Sequence, residues 1–103
     1  MNAAEPGKIK SAEQRERHRA RRETEDLRFI LSSPEGRRFV WRLLAHAGVF
    51  RSIWEPSAKI HYNSGLQDFG HFIQAEVTKV DLDASLLMQR EAMQREREEV
   101  DAN

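Results

Sequence analysis

Residues 33–50 read Ser-Pro-Glu-Gly-Arg-Arg-Phe-Val-Trp-Arg-Leu-Leu-Ala-His-Ala-Gly-Val-Phe, and they contain a helix whose two ends are both written in the sequence. Ser33 is an N-cap residue, because its hydroxyl can accept a hydrogen bond from a free amide of the first turn. Pro34 suits the first helical position, where the N–H it lacks would have had no partner. Gly48 supplies the left-handed residue that closes many helices. Between these signals Phe39, Val40, Leu43, Leu44 and Ala47 recur at spacings of one, three and four, which makes an apolar face. The stretch predicts a central core helix.

The chain around it has 103 residues, enough for one small domain. It is 39% hydrophobic and 33% charged, so a modest core must support a heavily ionised surface. Apolar density is confined to about residues 27–93, and domains this small are marginal alone. Oligomerisation or docking on a partner is therefore expected. The net charge is zero but unevenly spread: residues 1–22 carry a net +4 and residues 81–103 a net −4, with a balanced middle. Such asymmetry points to interaction ends. With no cysteine, disulfides and thiolate metal sites are excluded. No apolar run approaches the roughly 20 residues that span a bilayer, and no signal-peptide pattern occurs. The expectation is a soluble protein of a reducing interior, with no membrane partner.

Residues 1–10 read as a disordered lead. Ser11 with Gln14 forms a capping box for a charged helical arm over 11–26. The same helix continues to about Leu31, where Leu27, Phe29, Ile30 and Leu31 bring it to the core. Residues 49–65 read as an ordered loop in which Phe50, Ile53, Trp54 and Tyr62 pack over the core, since burying such rings is worth too much to leave them in water. Asn63 or Ser64 caps a third helix over roughly 65–79. Its inward stripe is Leu66, Phe69, Ile73, Val77 and Val80, and Gly70 marks a close crossing near the central helix. Asp83 caps a fourth helix, with Leu82 and Leu87 placed as a hydrophobic staple. Leu86, Met93 and Val100 share one face of it. With Met88, this end offers an adaptable strip to a second chain, although Arg90 and Arg97 interrupt a coiled-coil seam. The predicted fold is all-α: a small helical bundle of about four helices with charged, projecting terminal helices. The helical domain spans 27–93 and the acidic tail 94–103.

Motif chemistry points away from catalysis. His18, His46, His61 and His71 lack metal-ligand spacing, and His46 reads as a boundary residue satisfying a carbonyl. Ser33, Ser57 and Ser64 sit at turns or caps, and no nucleophile elbow or phosphate-binding loop occurs. Paired carboxylates lie only in charge-rich helices, where nothing raises a pKa by burial. No enzyme activity, metal or cofactor is expected. The arginine run, Arg15, Arg17, Arg19, Arg21 and Arg22, offers a phosphate-binding helix. Against that, Glu13–Arg17, Arg19–Glu23, Arg21–Glu25 and Arg22–Asp26 are spaced for intrahelical pairing, and no aromatic is available to stack on bases. The spacing favours a solvated helix. Arg37 and Arg38 oppose the dipole of the central helix, which calls for an acid: Glu35, one from the third or fourth helix, or one on a partner.

Two runs, Gly-Arg-Arg-Phe-Val-Trp-Arg-Leu-Leu-Ala-His-Ala-Gly-Val-Phe-Arg-Ser (36–52) and Tyr-Asn-Ser-Gly-Leu-Gln-Asp-Phe-Gly (62–70), resemble a family of small tailed-bacteriophage proteins encoded among head and portal morphogenesis genes. The likeness covers roughly 27–90. It rests on Gly36, Arg37, Trp41, Leu44, Gly48, Phe50, Asn63, Gly65 and Gly70 in order; the charged ends fall outside it. The resemblance implies a phage origin and a role around particle assembly or the virion, in the host cytoplasm during assembly, and brings no catalytic or ligand-binding residue with it.

The functional expectation is thus a non-enzymatic phage structural or assembly-associated protein working through protein–protein contacts. Arg37, Arg38, Trp41, Phe50, Trp54 and Tyr62 are the candidate partner-binding residues, and phage proteins or further copies of the chain the candidate partners. Trp41 beside arginine has the composition of an interface hot spot, or else marks a second buried face. Trp54 and Tyr62 are either binding residues or a lid on a thin core. The alternative is a nucleic-acid-associated protein using Arg15, Arg17, Arg19, Arg21 and Arg22.

Overall fold

The computed structural model describes the backbone of residues 6–102 and the side chains of 9–102. It is all-α, with four helices: α1 (Pro6–Leu31), α2 (Pro34–His46), α3 (Lys59–Val80) and α4 (Leu82–Ala102). Helix α2 forms as its two ends dictate. Ser33 is extended and its Oγ accepts from the Gly36 amide at 3.1 Å, with Pro34 in the first turn. At the other end Gly48 has φ +81°. The Gly48 amide donates to the Ala45 carbonyl and the Val49 amide to the Leu44 carbonyl, the paired bonds of a Schellman ending.

The other boundaries differ from expectation, each for a local reason. Helix α1 begins at Pro6 rather than Ser11, so part of the expected disordered lead is helical; residues 1–5 lie outside the described residues. Helix α3 starts at Lys59, several residues before the expected caps. There Ser57 Oγ accepts from the Lys59 amide, while the Asn63 side chain instead donates to the Ile53 carbonyl. Tyr62 consequently stands on a helix. The residue joining α3 and α4 is Asp81, and it, not Asp83, is the cap: its carboxylate accepts from the Ala84 amide at 3.0 Å. Its own amide still bonds the Val77 carbonyl. Leu82, the expected staple residue, is therefore inside α4.

Leu31, Val40, Leu44, Val77, Ala84 and Met88 form the core, with Leu27, Trp41, Val49 and Ile73 packed against it. Every helix contributes, and α2 touches all three others. The inward faces are narrower than the apolar pattern. On α2 the buried row is Arg37, Val40, Leu44 and Ala47, while Phe39 and Leu43 are exposed. On α1 Leu27 and Leu31 reach the core but Phe29 and Ile30 do not. On α3 Phe69 is exposed, and on α4 the inner row is Ala84, Met88 and Ala92. The terminal helices project: Ala12–Glu23 and Glu96–Ala102 are exposed throughout.

The result is a plate, 71 × 38 × 16 Å, with a radius of gyration of 19.2 Å, against about 13 Å for a compact domain of this length. Among the described residues no helix is long and apolar enough to cross a membrane.

Gly70 is buried where α3 meets the end of α2. A Cβ there would lie 2.5 Å from the Val49 side chain and 2.6 Å from the Ala47 Cβ, so the close crossing requires glycine. Gly65, on the same helix, has nothing within 4 Å of its Cβ position. Gly70→Ala should lower stability by about 1–2 kcal/mol, overpacking outweighing the helix-propensity gain, whereas Gly65→Ala should raise it by about 0.5–1 kcal/mol. Urea unfolding of the two variants in parallel checks both signs.

Candidate functional site

The six residues expected at a partner surface separate into a buried group and an exposed one. Arg37 is buried. Its Nε and Nη2 donate to the two Glu91 carboxylate oxygens at 2.8 and 3.0 Å, and its Nη1 donates to the Leu31 carbonyl at 2.9 Å. The acid that compensates it comes from the fourth helix, so Arg37 is part of the fold and is not open to a partner. The N–H edges of the guanidinium are matched to the carboxylate and the carbonyl, a forked geometry that arginine satisfies and lysine does not. The hydrogen bonds from Arg37 hold the Glu91 carboxyl below the usual carboxylate range; burial works the other way, and the positive charges of Arg37, Arg95 and Arg38 add to the lowering. The same bonds push the Arg37 guanidinium upward.

Trp41 is half-buried against the core, and its ring stacks on Phe50 with centroids 4.4 Å apart and planes 19° from parallel. Its alternative role as a second packed face of α2 is the one its surroundings support. Phe50 is covered on the Trp41 side and otherwise exposed. Arg38 is exposed, beside Glu35, Phe39 and Arg42 and at the edge of a groove shared with Arg90 and Arg95 of α4.

Trp54 and Tyr62 do not lid the core. They are 71% and 69% exposed. The loop carrying Trp54 is nevertheless held in place: Gln67 donates to the Gly48 and Arg51 carbonyls at 2.8 and 3.2 Å, and Asn63 to Ile53. These bonds tie the loop that carries Trp54 to the first turns of α3, where Tyr62 stands. Along α3 from Tyr62, at steps of seven and three, stand Phe69 and Phe72, both exposed and stacked with centroids 6.2 Å apart. The pair was hidden in the sequence by assigning Phe69 to the inward stripe. The signal for it was the width of the apolar arc, which is more than one packing partner can cover.

The arginine run lies on the projecting part of α1. The four expected pairs at spacing four are absent among the described residues; Arg19 pairs instead with Glu16, at 3.1 Å. Arg15, Arg19 and Arg22, with His18, share one open face, roughly opposite the Thr24, Leu27 and Leu31 side; Arg17 and Arg21 point elsewhere around the helix. The four histidines are all exposed, and the His46 side chain makes no hydrogen bond among the described residues. No group of three metal-ligating side chains occurs among the described residues.

The lowered Glu91 pKa gives a signed prediction. A carboxylate with a depressed folded-state pKa stabilises the fold above its unfolded value, near pH 4.3, and that contribution is lost as pH falls through the folded value. Glu91→Gln should therefore destabilise the protein at neutral pH by on the order of 2–3 kcal/mol. It should also flatten the loss of stability below about pH 4.5. Thermal melts of both proteins between pH 7 and 3 measure the two effects.

The chain matches no protein-family model, no curated protein and no solved structure.

Proposed function

We infer that this protein is a non-enzymatic bacteriophage structural or assembly protein that works by protein–protein contact. The observation that carries the reading is the set of aromatic residues Trp54, Tyr62, Phe69 and Phe72, left in water by the chain's own fold along α3 and the loop before it, a loop held by three hydrogen bonds. Isolated exposed apolar residues are ordinary, but an aromatic cluster on an ordered scaffold has the composition of a binding surface. The phage assignment rests on the likeness of residues 36–52 and 62–70 to small proteins encoded among head and portal genes. On this reading the protein acts in the host cytoplasm during assembly and, if it stays bound, in the virion.

A second reading has its own observation. The open face carrying Arg15, His18, Arg19 and Arg22 is suited to a phosphate backbone. If it binds nucleic acid, affinity must fall steeply with salt and vanish on removing residues 1–22. Anisotropy with a labelled duplex in a salt series decides it; no binding at low salt removes the reading.

For the principal reading, the full chain is co-expressed with head and portal proteins of tailed phages and the complexes are sedimented. The chain should co-sediment, and Trp54→Ala and Tyr62→Ala should abolish this while leaving the melting temperature nearly unchanged, since both rings are exposed. Trp41→Ala, by contrast, should cost about 2–3 kcal/mol of stability. Absence of the chain from every such complex would overturn the assignment.

A further inference from the structure

The two projecting helix ends carry opposite charge. Residues 9–22 of α1 hold Lys10, Arg15, Arg17, Arg19, Arg21 and Arg22 against Glu13 and Glu16, a net +4. Residues 96–102 of α4 hold Glu96, Glu98, Glu99 and Asp101 against Arg97, a net −3. We propose that the basic end of α1 in one copy of the chain lies against the acidic end of α4 in a second copy. This contact is separate from the aromatic surface proposed above and names a partner of its own.

Each end lacks its counter-charge within the chain. Arg15, Arg17, Arg21 and Arg22 have no acidic partner among the described residues, and Glu96 and Asp101 have no basic one. Like charges stand as helical neighbours instead. Arg15–Arg19 and Arg17–Arg21 are four apart, Glu96–Glu99 and Glu98–Asp101 three apart, and such pairs destabilise a helix. Helix α4 also closes without a basic residue in its last turn, so its terminal acids oppose the dipole.

The charges select the occupant as well. Nucleic acid would neutralise the end of α1 and be repelled by that of α4, whereas a second copy meets both with its own complement. The chain is neutral as a whole, so pairing between copies accumulates no net charge. Exposed charges attract over about 10 Å at 0.1 M salt but only about 3 Å at 1 M. The contact is therefore weak and salt-sensitive.

The test uses the full chain, freed of nucleic acid. Sedimentation over a low-micromolar to near-millimolar series should show self-association in about 0.02 M salt, weakened about tenfold or more in about 0.5 M. Reversing the basic end (Arg15→Glu, Arg19→Glu and Arg22→Glu together) should leave a monomer. Reversing the acidic end (Glu96→Arg, Glu98→Arg and Asp101→Arg together) should do the same. A mixture of the two should associate again, since each then presents the complement of the other. Circular dichroism checks that both stay helical. Because the chain has no cysteine, Ala102→Cys carries a single spin label at the acidic end, with both charged ends intact. Mixed with an isotopically labelled, unmodified copy, it should broaden the amide signals of residues 9–22 in that copy more than those of any other segment.

A monomer throughout, self-association that salt leaves unchanged, a mixture of helical variants that stays monomeric, or broadening centred elsewhere overturns the proposal. So does a chain that is monomeric alone and binds a labelled duplex through residues 9–22, which assigns that end to phosphates. Trp54→Ala should leave the self-association intact. A monomer that still binds head or portal protein thus overturns the pairing alone, and an associating chain that binds neither overturns the assembly reading alone.

Discussion

The guanidinium of Arg37 joins three helices. It stands in the first turns of α2, bonds the Glu91 carboxylate of α4 through two nitrogens, and uses a third on the Leu31 carbonyl at the end of α1. The last carbonyls of a helix have no partner within it, so the bond to Leu31 satisfies a group that the chain reversal would otherwise leave bare. A cation so near the start of α2 opposes the helix dipole, and Glu91 compensates for that at the same point. Apolar packing among six core residues is non-directional. The Arg37 fork supplies what packing lacks, a fixed register between α2 and α4. Buried ion pairs often add little net stability against apolar replacements, so the value of this one lies in which arrangement it selects.

The narrowness of the core follows from the same plan. Because α2 touches every other helix while the ends of α1 and α4 run past it, most helical length is spent on a plate 16 Å thick. Each helix then has one face inward and a second, still partly apolar, toward water. Arg42 lies over the exposed Phe39 ring at 5.3 Å, a cation–π contact that covers one such residue locally. The aromatic residues Phe69 and Phe72 of α3 and the outer row Leu86, Met93 and Val100 of α4 have no such cover among the described residues.

Where the sequence carried a local chemical signal, it was legible. Ser33, Pro34 and Gly48 gave both ends of α2, and the apolar segments gave four helices with projecting charged ends. Gly70 was readable as a close crossing, although a glycine inside a helix does not suffice to mark one: Gly65 on the same helix meets nothing. Two kinds of feature were not legible. One was the choice among neighbouring cap candidates: Asp81 and Asp83 are chemically equal, and only the geometry of the α3–α4 junction selects Asp81. The other was the rotation of each helix about its axis. Phe39, Phe69 and Met93 fit an inward stripe by spacing as well as Val40, Ile73 and Met88 do, and the side that faces in is decided by partners far along the chain. The candidate surface suffered from that second limit. Trp54 and Tyr62 were found as aromatics in a connection, but their exposure, and the presence of Phe72 beside Phe69, depend on how α3 is rolled.

One junction leaves no slack. Asp81 alone separates α3 from α4, ending one helix and capping the next. A single residue gained or lost there would turn α4 by about 100°, carrying Met88 out of the core and Glu91 away from Arg37. The segment from Arg51 to Pro56 is tied to α3 at the Arg51 and Ile53 carbonyls but sets no helix phase, and lengthening a surface connection costs only a few tenths of a kcal/mol per residue at most. Over evolutionary time, insertions and deletions in descendants of this sequence should collect at the exposed Trp54 loop, while the joint at Asp81 keeps its length.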